Sequence, residues 1–176
     1  MEALANELSH DSYLGTSVMA LRLFVALLCG AVIGFEREWH ERAAGFRTHI
    51  LICLSAAVFA LAAIEMTHLQ TFESEQTRID PLRLIEALTS GVAFLAAGTI
   101  VFARGEVRGL TTGAGMWLAG ATGLVAGLGF WQLAVLTTTM AMVVLWLLRK
   151  VEVRMNLRPP TRPEDTRADE TSRRDR

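Results

Sequence analysis

From Gly109 to Leu148 the chain runs for 40 residues without an Asp, Glu, Lys or Arg. One continuous helix of that length would extend about 60 Å at ~1.5 Å per residue, twice the ~30 Å hydrocarbon thickness of a bilayer. The stretch therefore reads as two spans of ~20 residues, joined at Gly127-Leu128-Gly129. A soluble helical bundle is the alternative, but its helices need a polar face that this stretch lacks.

Three further apolar runs extend the pattern. Val18 to Phe35 is broken only by Arg22, Ile50 to Ile64 carries no charge, and Leu84 to Ala103 carries only Glu86. Spans are expected at roughly 18–35, 48–66, 83–103, 110–127 and 130–148, which makes the chain an all-α, polytopic transmembrane bundle of about five helices. The transmembrane domain is expected over 18–150, after a short lead-in at 1–17 and before a charged tail at 151–176. The tail is rich in Arg, Asp, Glu, Pro and Thr, cannot bury a core, and should be disordered. The first twenty residues carry Glu2, Glu7 and Asp11 but no Lys or Arg. No small-residue cleavage pattern follows an apolar core, so no cleavable signal peptide is expected.

Five spans place the two termini on opposite sides of the membrane. One side then holds Arg37, Arg42, Arg47, Arg104, Arg108 and the nine Lys or Arg from Arg149 onward, fourteen in all, against Arg22, Arg78 and Arg83 on the other. Excess positive charge marks the cytoplasmic side, so the C-terminus should lie in the cytoplasm and the N-terminus outside. Arg149, Lys150 and Arg154 then read as a solvated charge cluster at the membrane edge, with contact to anionic lipid headgroups as the alternative.

Small residues recur at helix-contact spacing: Ala26, Gly30 and Gly34; Ser90, Ala93 and Ala97, with Gly91 and Gly98 beside them; Gly123 and Gly127. Such stripes let helix backbones approach closely in lipid, with a pore lining or a dimer seam as the alternative reading. Cys29 and Cys53 fall inside spans and read as small packing residues rather than as a disulfide or zinc ligands. Asp80-Pro81 reads as an N-cap followed by proline at the first helical position. Glu86 lies on one helix face with Arg83 and Ser90, and Arg83 is its nearest candidate partner. Thr111 and Thr112 can cap a helix start or satisfy backbone groups inside the bundle. The densest polar cluster is the first hairpin, from Glu36-Arg37-Glu38 to Arg47-Thr48-His49, where Gly45 offers conformational freedom for the reversal. Pairing of Glu36 or Glu38 with Arg47 or Arg108 is expected there, because unpaired charge is costly where water is scarce.

Gly30-x-x-Ile33-Gly34-x-Glu36-Arg37-Glu38, followed by Ala44-Gly45-Phe46-Arg47-Thr48-His49, resembles the first signature of the MgtC/SapB family of bacterial membrane proteins. Asp80-Pro81-x-Arg83, Ser90-Gly91, Phe94-Leu95-x-Ala97-Gly98 and Gly109-Leu110-Thr111-Thr112-x-Ala114-x-x-Trp117 are similar to its later ones. The chain departs from the pattern at Ala87, where the family has glutamine, and at Ala93 and Ala96, where it has glycine. The family's Thr-Thr-Ala-Ala-Ser run reads Thr111-Thr112-Gly113-Ala114-Gly115. The soluble C-terminal domain of MgtC-type members is not found after Lys150, which likens the chain to the shorter SapB-like branch.

The resemblance implies a multi-pass protein of the bacterial inner membrane linked to adaptation to low magnesium and to regulation of ATP synthase or of ion or phosphate transporters. A regulator of such a partner is the leading expectation. A small oligomeric transporter of magnesium or protons, using Glu36, Asp80 or Glu86, is the alternative. The sequence holds no P-loop, no triad spacing and no basic-aromatic surface, so no enzyme, catalytic residue, cofactor or nucleic-acid partner is expected, and no metal-ligand set can be assigned.

Overall fold

A computed structural model of the chain describes residues 12–68, 80–103 and 106–154. Among these the chain forms five helices, α1 Thr16–Trp39, α2 Phe46–Thr67, α3 Pro81–Thr99, α4 Leu110–Gly127 and α5 Trp131–Arg154, with a short β1 Val101–Ala103 and β2 Glu106–Arg108 between α3 and α4. Helices α1, α2, α3 and α5 are long and apolar enough to cross a membrane. The chain is thus a helical membrane protein, as the spacing of its charges requires.

Two boundaries depart from expectation. The third span ends as a helix at Thr99, not at 103, because Ile100 turns extended (φ −90°, ψ 114°). Val101–Ala103 then pairs antiparallel with Glu106–Arg108, Phe102 opposite Val107. Consecutive β-branched Thr99, Ile100 and Val101 favour this extended path, which pairs the backbone groups that helix would otherwise satisfy. The fifth helix continues past the expected 148 to Arg154, so 151–154 are helical rather than part of a disordered tail. The rest of that tail and most of the 1–17 lead-in lie outside the described residues.

α4 sits among α1, α2 and α3, and its glycines and alanines make that position available. A Cβ added to Gly123 would overlap the Cys53 backbone, and one at Gly127 would overlap that of Ala57, so α2 and α4 meet backbone to backbone. Gly30 and Gly34 admit α2 to α1 in the same way, facing Ile50 and Phe46. The remaining small residues behave differently. Ser90, Gly91 and Gly98 are exposed, and a Cβ at Gly91 or Gly98 would meet nothing within 4 Å. α3 turns Val92 and Ala96 inward instead, which carries those small residues out of the chain's own helix contacts. Cys29 and Cys53 are buried and free, and the Cys53 thiol donates to the Ala119 carbonyl at 3.0 Å.

The helix ends follow local chemistry. The Asp80 carboxylate accepts the Leu82 amide at 2.9 Å with Pro81 at the first helical position, as expected of an N-cap. α4 starts at Gly109 in the left-handed region (φ 91°) with no side-chain cap, so neither Thr111 nor Thr112 caps it. It ends where Gly129 (φ 92°) lets the Phe130 amide reach the Val125 carbonyl and its own amide reach Ala126, a glycine C-terminal motif. The chain divides into compact units at Met1–Met142 and Val143–Arg176. Within the second, the Lys150 ammonium lies 4.7 Å from the Trp146 ring centre.

Candidate functional site

Gly30, Ile33, Gly34 and Arg37 recur at helical spacing on α1, so the face that packs on α2 ends in an arginine. Arg37 is only 4% exposed. Its Nε donates to the Glu36 carboxylate, and His40 Nδ1 lies 3.2 Å from Glu36 Oε1 and 2.6 Å from the Glu36 carbonyl. A guanidinium so enclosed needs a carboxylate beside it, and Glu36 supplies one from the same helix end.

The reversal that follows does not use Gly45 as expected. Glu41 takes the left-handed conformation (φ 51°), while Gly45 keeps φ −109°. Gly45 is needed for space: a Cβ there would overlap the Glu38 carboxylate, which accepts the Phe46 amide at 3.0 Å. The first amides of a helix need acceptors. With no side chain at the cap position, Glu38 reaches across from α1 to provide one.

One turn into α2, His49 is 0% exposed. Its Nδ1 lies 2.9 Å from the Gly45 carbonyl. A carbonyl can only accept, so Nδ1 donates, and in the neutral ring Nε2 presents a lone pair. That nitrogen has no hydrogen-bond partner among the described residues. It faces α4 at Gly115, where an added Cβ would stand 3.3 Å from it. Gly34 of α1 packs against the stem of the same side chain, its added Cβ 3.1 Å from the His49 Cβ. Three helices thus converge on His49.

Outside this buried group, Phe35, Glu38, Gly45, Phe46, Arg47 and Thr48 line an open recess of about 790 Å³. Arg47 is exposed and makes no ion pair among the described residues. The expected pairing of Glu36 or Glu38 with Arg47 is therefore not formed, because Arg37, His40 and the Phe46 amide engage both carboxylates first. Arg108 is exposed on β2. Thr112 is buried one turn before Gly115, and Thr111 is exposed.

Glu36, Arg37, Glu38, Arg47, Thr48 and His49 are brought together, whereas Asp80, Arg83 and Glu86 belong to the start of α3. Arg83 and Glu86 are exposed and do not pair with each other. Among the described residues, no group of three His, Cys, Asp or Glu side chains is placed to hold a metal ion. The sequence reading missed a second polar set. Glu65 accepts the amides of Tyr13 (2.9 Å) and Leu14 (2.8 Å), Tyr13 stacks on His68, and Arg22 donates to the Gly127 carbonyl at 2.9 Å. The available signal was charge within apolar runs, which demands a partner.

The MgtC family model matches residues 23–154. Over 139 residues, 79% of the chain, it is 37% identical to slr0014, an uncharacterized protein of Synechocystis, and 36% identical to MgtC of Salmonella typhimurium. Over 140 residues, 80% of the chain, it is 30% identical to YhiD of Escherichia coli K12. The aligned region spans 56% of the first two relatives and 65% of YhiD. No solved structure matches the chain.

Proposed function

The chain belongs to the MgtC family, and from that premise we propose a non-enzymatic protein of the bacterial inner membrane that modulates another membrane complex, an ion or phosphate transporter or ATP synthase, in magnesium homeostasis. The contact is made by the α1–α2 hairpin on the cytoplasmic side. What supports this reading is the way the hairpin is held. Buried Arg37 with Glu36, the Glu38 bond to Phe46 and enclosed His49 fix its frame, while Arg47 remains exposed on the rim of the recess. A fixed loop carrying exposed charge suits recognition more than core packing.

Copurification in mild detergent, with the bound proteins identified, tests the reading. Glu36→Ala, Arg47→Ala and Arg108→Ala should each reduce recovery of a partner and the regulatory effect more than Arg42→Ala. Arg47→Ala should accumulate at the normal level, since its side chain supports no other group. Equal recovery in all four variants would remove the hairpin from the contact.

A transporter is the second reading. YhiD of E. coli K12 carries a provisional magnesium-transporter name, and Glu86 is a carboxylate on a membrane helix. Magnesium or proton flux through proteoliposomes holding this chain alone, lost in Glu86→Gln, would replace the regulator with a transporter.

A further inference from the structure

In a membrane bundle the least apolar helices are the ones that protein should cover, because lipid cannot satisfy polar groups. α4, with its glycines and threonines, obeys: most of one side of it is buried against α1, α2 and α3. α3 does the reverse. It is the least apolar of the four helices long enough to cross a membrane and also the least buried. Val92 and Ala96 face inward. At ~100° per residue the opposite face carries Arg83, Glu86, Ser90, Phe94 and Ala97. Neither charge has an ion-pair partner among the described residues. Phe94, 80% exposed, is the most exposed large apolar side chain among them. Beside it an apolar cleft of about 570 Å³ runs between α2 and α3, lined by residues that include Leu51, Phe59, Leu88, Gly91 and Leu95.

We propose that this face of α3 is the contact of a two-fold homodimer. A two-fold contact is self-complementary: each surface must accept what it offers. This face offers a cation and an anion one turn apart, so two parallel α3 helices set Arg83 of each copy beside Glu86 of the other and close both pairs at once. It also offers a projecting ring and a hollow side by side, Phe94 and the cleft past Gly91. Acyl chains would leave Glu86, a turn deeper than Arg83, without a counter-ion. The connector 69–79 is a poor cover for hydrocarbon, carrying Glu73, Glu75, Gln76, Thr77 and Arg78.

Oxidative cross-linking of the full chain in its native membrane tests the dimer. Ser90→Cys should yield a product of twice the chain mass, whereas the wild type, whose own cysteines are buried, and Phe24→Cys on the exposed face of α1 should not. Energy transfer between labelled copies should be lost in Arg83→Glu and in Glu86→Arg, and return in the double reversal, which a folding defect would not do. The proposal is overturned if Ser90→Cys links no better than Phe24→Cys, if it links instead to a protein of another mass, or if the double reversal fails to restore the signal.

Discussion

The imidazole of His49 holds one nitrogen against the Gly45 carbonyl and turns the other toward Gly115, with no hydrogen-bond partner for it among the described residues. A serine hydroxyl placed at Gly115 could donate to Nε2. Gly115→Ser should therefore be more stable than Gly115→Ala by about 1 kcal/mol, the usual net worth of one hydrogen bond. The difference should vanish when His49→Phe is added, as read by thermal unfolding in detergent; a difference that persists would place the serine bond elsewhere. Glu38 and Gly45 are coupled more directly. Gly45→Ala should displace the Glu38 carboxylate and uncap α2, a loss of ~1 kcal/mol, seen as faster amide exchange at Phe46. His49 and Gly45 both stand in the motif that the sequence displays. Their roles were not legible there, since an orphan nitrogen and a crowded Cβ exist only relative to α4 and to Glu38.

Helix against helix, the same distinction holds. Gly123 and Gly98 are both glycines in apolar spans, and the sequence treats them alike. Gly123→Ala would drive a Cβ into the Cys53 carbonyl, whereas Gly98→Ala meets open space. The first should cost on the order of 1–3 kcal/mol through overpacking, and the second should stay within about 0.5 kcal/mol, measured by thermal unfolding of each variant. Equal effects would mean that α2 and α4 do not touch through this pair. Helix starts and stops needed no tertiary information at Asp80-Pro81 or at Gly127-Leu128-Gly129, because a cap and a left-handed glycine act within a few residues of chain. The end of α3 was less legible: Ile100 to Ala103 are apolar enough for a span, and their β-branched run leaves the helix by pairing with Glu106–Arg108.

For the molecule in its bilayer, orientation rests on fourteen basic residues against three. Exposed Trp39 and Phe35 at the hairpin end, and exposed Phe130 and Trp131 at the other, suit the two interfaces of such a span. A reporter fused after Arg149 should be active only as a cytoplasmic enzyme, and periplasmic activity there would overturn the topology. Truncation after Met155 should leave membrane accumulation unchanged, since every described element ends by Arg154; loss of protein would show that the tail has structural contacts. The number of helices and the placement of charge between them were readable from the amino-acid order alone, although only four of the five, α4 being the exception, are long and apolar enough to cross a membrane. A bilayer imposes ~20 apolar residues per crossing whatever the neighbouring helices do, and that requirement is one-dimensional. How each helix rotates about its own axis is not. Rotation turned Gly30, Gly34, Gly123 and Gly127 onto neighbouring backbones, enclosed Arg37 and His49, and left Arg83, Glu86 and Ser90 of α3 on an uncovered face, because packing depends on which side chains meet across helices rather than on their order along one.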